Sequence, residues 1–145
     1  MRRVMKQRAG RRQMMASSPE VLDELKGLLA RVPHLTGALA ASVDGLVLAE
    51  STGSEAEAEG TAALTAAALG VALRLTDATG RGDFRELVIR GEQGYVATYA
   101  AGTGAVLTVL AGPRANVGRL HLEARRSSAR IGDVVAGALE RRETT

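Results

Sequence analysis

The sequence predicts an α+β domain: a five-stranded, mostly antiparallel sheet flanked by helices, in the order α-β-β-α-β-β-β-α. Three observations carry this prediction. Two short apolar runs flank Asp44-Gly45, and three more lie between residues 84 and 111, separated by glycine-bearing turns. All of these strand-to-strand links are of hairpin length, which favours antiparallel pairing. Segments with apolar residues at helical spacing precede, interrupt and follow the strands. The 145 residues show no internal repeat and suffice for one core.

The first helix begins at Ser17 or Ser18. Ser17 and Glu20 have capping-box spacing, and Pro19 suits a first turn. Val21, Leu22, Leu25, Leu28, Leu29 and Val32 recur at helical spacing, and Pro33 ends the helix. Strands over Thr36 to Ser42 and Leu46 to Ser51 form the first hairpin, because Gly45 accepts the positive φ that its turn requires.

Ser54 caps the second helix, with Glu57 at capping-box spacing and Glu55 and Glu59 favouring its positive end. The helix extends to Thr76 or Ala78, and Gly80-Arg81-Gly82 breaks it. Its stretch Thr61 to Leu75 has almost no polar face; only Thr61, Thr65 and Arg74 interrupt Ala, Leu, Val and Gly. A helix apolar on all sides is buried on all sides. At 15 residues the stretch falls short of the roughly 20 that span a bilayer, and no run in the chain is read as transmembrane. The stretch therefore needs a second protein surface besides its own sheet. One stripe is Leu64, Ala68, Val71 and Leu75; the opposite stripe, Ala63, Ala67 and Gly70, is small enough to admit another helix closely. The expectation is a self-associating module.

Strands over Phe84 to Arg90, Tyr95 to Ala100 and Ala105 to Ala111 follow. Gly91-Glu92-Gln93-Gly94 and Gly102-Thr103-Gly104 make the turns between them. The nearly all-apolar Ala105 to Ala111 reads as a central strand covered on both faces. After Gly112-Pro113, Asn116 caps a last helix containing Leu120, Ala124, Ile131, Val134, Val135 and Leu139, with a bend expected near Ser127-Ser128. Residues 17–142 form the domain, and 143–145 are expected to fray.

Charge is unevenly distributed. Residues 1–16 hold six of the 19 basic residues and no acid, leaving 13 basic against 16 acidic residues, a net of −3, in the body. The basic segment is read as a disordered tail. Weak contact with anionic lipid, contact with nucleic acid, a plain solvated tail, or a start at Met14 or Met15 all remain open for it. With no apolar segment after it, it is not read as a secretory signal.

Chemistry is sparse. Aromatics are 2% of the chain, too few for base-stacking platforms or an aromatic-lined pocket, so nucleic acid is not an expected partner. There is no cysteine, and His34 and His121 lack metal-site spacing, so no metal, cofactor or catalytic residue is assigned. Gly102-Thr103-Gly104 lacks the Lys-Ser/Thr and helix of a phosphate-binding loop. Arg81-Gly82-Asp83 is a chance match to an adhesion tripeptide. Arg119, Arg126 and Arg130 share a helix face that either meets an acidic partner or is simply solvated.

The pattern resembles the Roadblock/LC7 family. The resemblance rests on the element order, on the hairpin GALAASVDGLVLAES (Gly37 to Ser51), on the Ala/Leu-rich second helix, and on RELVIRGEQGYVATYAAGTGAVLTVLA (Arg85 to Ala111). It covers about Val21 to Leu139. It implies a profilin-like architecture and a homodimer in which second helices pack antiparallel and third strands meet. The implied interface comprises Ala63, Ala67, Gly70, Arg74, Phe84, Leu87 and Ile89. Asp44, Gly45, Gly91, Gly94, Gly102 and Gly104 are the structural turn residues. The resemblance further implies a non-catalytic cytoplasmic platform or GTPase-activating partner for a small Ras-like GTPase; other members are dynein light chains. High Ala, Gly and Arg content resembles actinobacterial members found beside a small GTPase and a sensor kinase, which implies a sensor kinase complex as a further partner. The alternative is a small-molecule sensor domain of similar sheet-and-helix layout, which requires a pocket between sheet and helix.

Overall fold

The computed structural model describes residues 18–143. The basic tail, the Ser17 capping position and residues 144–145 lie outside the described residues. Eight elements follow in the predicted order: α1 (Ser18–Arg31), β1 (Leu35–Ser42), β2 (Val47–Ser51), α2 (Glu55–Ala78), β3 (Glu86–Gly91), β4 (Gly94–Ala101), β5 (Ala105–Ala111) and α3 (Val117–Glu143).

The strands form one antiparallel sheet in the order β2-β1-β5-β4-β3. The apolar β5 is the central strand, as its composition predicts. Strand alternation divides the core into two layers. Ala38, Ala40, Tyr99, Leu107 and Val109 face α1 and α3, where Val21, Leu25, Leu28, Leu120, Ala124, Ile131 and Val135 pack. Leu39 and Ala41 face Ala58 and Ala62 of α2, and Val106 meets Leu69 and Phe84. α2 thus covers one face of the sheet alone, crossing from the β1–β2 side towards β3.

Two glycines are set by geometry. Gly45 has φ +93 and lies against α2, where an added Cβ would stand 3.3 Å from the Ala66 methyl. Gly94 has φ +141, and a Cβ there would fall 2.1 Å from the Ala111 carbonyl oxygen. Gly91 and Gly104 sit at their turns without positive φ. The first hairpin closes through four residues, Val43 to Leu46, with the Ser42 amide donating to the Leu46 carbonyl at 2.8 Å.

α3 is a 27-residue helix whose hydrogen-bonded run continues through Ser127-Ser128, where the bend was expected. The Ser128 hydroxyl donates back to the Arg125 carbonyl, and the buried Ser127 hydroxyl donates across to Glu24 of α1. Both polar groups are satisfied without opening the helix. The Asn116 cap is as expected, its Oδ1 accepting from the Arg119 amide at 3.1 Å.

Candidate docking face

Helix α2 begins where Ser54, extended at φ −162 and ψ 156, accepts the Glu57 amide on its side-chain oxygen at 3.1 Å. That cap fixes where the helix starts. Ala58, Ala62 and Leu69 are its buried residues. Residues 100° apart per step then place Ala63, Leu64, Ala67, Gly70, Val71 and Arg74 on the outward side, and all of them are exposed.

This corrects the predicted arrangement. The leucine stripe and the small-residue stripe are not opposite faces. They are neighbouring rows on one outward face, because their mean directions differ by about 100°. Leu64, Val71 and Leu75 are 75%, 68% and 62% exposed. The helix is therefore far from buried on all sides within one chain.

Its length also exceeds the predicted apolar stretch. At 24 residues, α2 is long and apolar enough, by length and composition, to cross a membrane. The sequence reading counted only the uninterrupted apolar run and left out the flanking helical turns. Here the helix lies on the sheet through Ala58, Ala62 and Leu69.

Beside α2 runs the edge strand β3, whose outer backbone groups have no neighbouring strand among the described residues. Val88 and Ile89 are exposed on it, and alternation puts Leu87 and Ile89 on the α2 side. Of the expected interface residues, Ala63, Ala67, Gly70, Arg74 and Ile89 are exposed and Leu87 is partly buried. Phe84 is the exception. It precedes β3, is 7% exposed, and fills the space beneath α2 with Leu69 and Val106. Burying so large an apolar side chain makes it a core residue.

The space between α2 and the sheet also holds Thr98 and Thr108, cross-strand neighbours whose buried hydroxyls hydrogen-bond at 3.2 Å. Among the described residues no buried side-chain polar atom lacks a partner. The sequence reading missed Val88 and the outward direction of Leu64, Val71 and Leu75. The Ser54 cap marks where the helix starts but not which side meets the sheet, so no local signal gave that direction.

The basic face of α3 makes its contacts within the chain. Arg119 donates to the Arg31 carbonyl at 2.7 Å, Arg126 to Glu123 at 3.3 Å, and Arg130 to Glu24 at 2.8 Å. Arg125 pairs with Glu86 of β3. These acids lie on other elements or one turn away, so they were invisible as partners when the arginines were read as a helical row. His121 is likewise engaged, its Nδ1 2.7 Å from the Tyr99 hydroxyl.

The Roadblock/LC7 domain description matches residues 21–111. The chain belongs to the Roadblock/LC7 family. Its domain shares 29% identity with a Streptomyces avermitilis Roadblock/LC7 domain structure, covering 82% of this chain and 97% of that one at a TM-score of 0.72. The gliding protein mglB from Thermus thermophilus shares the fold, at 23% identity, TM-score 0.76, and coverage of 84% and 93%. An uncharacterized protein of Methanocaldococcus jannaschii is 29% identical over 111 residues, 77% of this chain and 96% of its own length. The α+β architecture read from the sequence is thus the Roadblock/LC7 fold, and that family is generally non-catalytic. In this Roadblock/LC7 domain, α3 extends beyond the matched segment and packs on the same sheet face as α1.

Proposed function

We propose that the chain is a non-catalytic homodimer that serves bacterial cytoplasmic signalling as a docking platform or activating partner for a small Ras-like GTPase. The observation that supports this reading most is the set of large apolar side chains exposed on α2 and on β3. Leu64, Val71, Leu75 and Ile89 stand in water in a single chain, beside an open sheet edge. Exposed patches of this kind mark interaction sites. A second copy laid on α2 and β3 covers the patch and extends the sheet across the two-fold axis. The GTPase is the partner implied by the family resemblance. Any activation then works by positioning the GTPase's own groups, since no side chain here is assigned as an arginine finger.

Light scattering on the wild type beside Ala67→Glu tests the dimer. A wild-type dimer that dissociates in the variant supports it; a wild-type monomer removes it and brings the sensor-domain alternative forward. Pull-down against a small GTPase loaded with GDP or GTP tests the partner. Nucleotide-dependent retention supports the platform role, and no retention in either state rejects it.

A further inference from the structure

We infer that the outward face of α2 meets a second copy of itself in antiparallel register centred on Ala67, with Arg74 of each copy held by Glu57 and Glu59 of the other. This rests on the self-association reading above and goes on to name its register and its specificity residues.

The exposed positions Ala56, Gly60, Ala63, Ala67, Gly70 and Arg74 recur at alternating steps of four and three, a seam along the outward side of the helix. Leu64 and Val71 flank that seam. With Ala67 at the two-fold axis, an antiparallel copy sets Leu64 across from Gly70, Val71 across from Ala63, and Arg74 across from Gly60. Leu64, Val71 and Arg74 then each face a glycine or an alanine, while Leu75 lies at the level of Glu59. A Cβ at Gly60 or Gly70 would meet nothing within 4 Å, so the space that these knobs would enter is open. A parallel copy would instead set Leu64 on Leu64, Val71 on Val71 and Arg74 on Arg74.

Charge selects the same arrangement. Arg74 is the only basic residue in α2, and Glu55, Glu57 and Glu59 occupy its first turns. Antiparallel packing brings the lone cation of each copy to the acidic end of the other and opposes the two helix dipoles. The bare backbone at Gly60 lets the guanidinium lie across it and reach Glu57 on one flank or Glu59 on the other. Neither Arg74, Glu57 nor Glu59 has a side-chain ion pair among the described residues. Asp77 and Asp83 border the same groove as Arg74, yet neither pairs with it.

Charge exchange is the test, read by analytical ultracentrifugation of the full chain, with circular dichroism reporting the fold of each variant. Arg74→Glu alone, and Glu57→Arg with Glu59→Arg, should each weaken the homodimer by about tenfold or more, because attraction becomes repulsion at two symmetry-related places. An equimolar mixture of the two folded variants should form a 1:1 heterodimer, in which acid again faces base. Wild-type dimerisation should weaken as salt rises. Variants that dimerise like the wild type, or weakened variants that fail to rescue each other, would overturn the register while leaving the homodimer in place. A wild type that is monomeric throughout overturns the homodimer itself.

Discussion

Gly132 of α3 lies so close to Gly102 in the β4–β5 turn that a methyl group at position 132 would stand 2.7 Å from the Gly102 amide nitrogen. The contact seats the middle of α3 on the sheet, beside the fully buried Ile131. Gly132→Ala must therefore push helix from turn, against core packing that yields little. The expected loss is about 1–3 kcal/mol. It is read as a lower urea midpoint with unchanged slope; an unmoved midpoint would show that the helix shifts freely.

A second tie joins α3 to α1. Glu24 accepts from Ser127 at 2.8 Å and from Arg130 at 2.8 Å, and Arg31 bridges Glu24, Ser127 and Glu123. Burial pushes the Glu24 carboxyl up, but the Ser127 hydroxyl, Arg130 and Arg31 outweigh it and hold the group below its ordinary 4.5. A carboxylate depressed in the folded state contributes stability above its unfolded pKa and loses it as pH falls through the folded value. Glu24→Gln should lower stability at neutral pH and flatten the acid limb below about pH 4.5. Denaturation midpoints measured across that range check this; parallel curves for wild type and variant would count against it.

Tyr99 supplies the opposite limb. Its ring is buried, its hydroxyl is bonded to His121, and burial first, then Glu86, push its pKa well above the ordinary 10.0. A phenol raised in the folded state contributes stability below its unfolded pKa and loses it as pH climbs towards the folded value. Tyr99→Phe should cost about 1 kcal/mol at neutral pH from the lost hydrogen bond. Its stability should also fall less steeply above about pH 10 than that of the wild type. Thermal melts at neutral and alkaline pH distinguish the two effects.

The α2 face gives a contrast within one helix. Leu69 is buried and Val71, two residues on, is 68% exposed. Leu69→Ala should destabilise the chain by about 2–5 kcal/mol. Val71→Asp should change it by no more than about 0.5 kcal/mol in dilute solution, while lowering self-association in light scattering. A large loss of stability from Val71→Asp at dilution would mean that this side chain packs within its own chain.

Much of the domain was legible in the linear pattern. Asp44-Gly45 and the glycine turns marked the hairpins, and the all-apolar run from Ala105 to Ala111 marked the central strand. Ser54 and Asn116 marked helix starts. These signals are local, each depending on a few neighbouring residues and the conformations they allow, so the sequence by itself determined the elements, their order and the antiparallel sheet. It also determined that α2 carries too much apolar surface for one sheet. Only the tertiary structure decided which way that surface faces, because the two rows of α2 differ by a rotation that depends on where the capped helix crosses the sheet. It alone placed Phe84 beneath α2 rather than at the edge. It alone joined Ser127 to Glu24, 103 positions away, and paired Arg125 and Arg130 of α3 with acids on other elements. Such pairings depend on how distant segments converge, and a spacing of seven and four along one helix carries no record of what lies opposite.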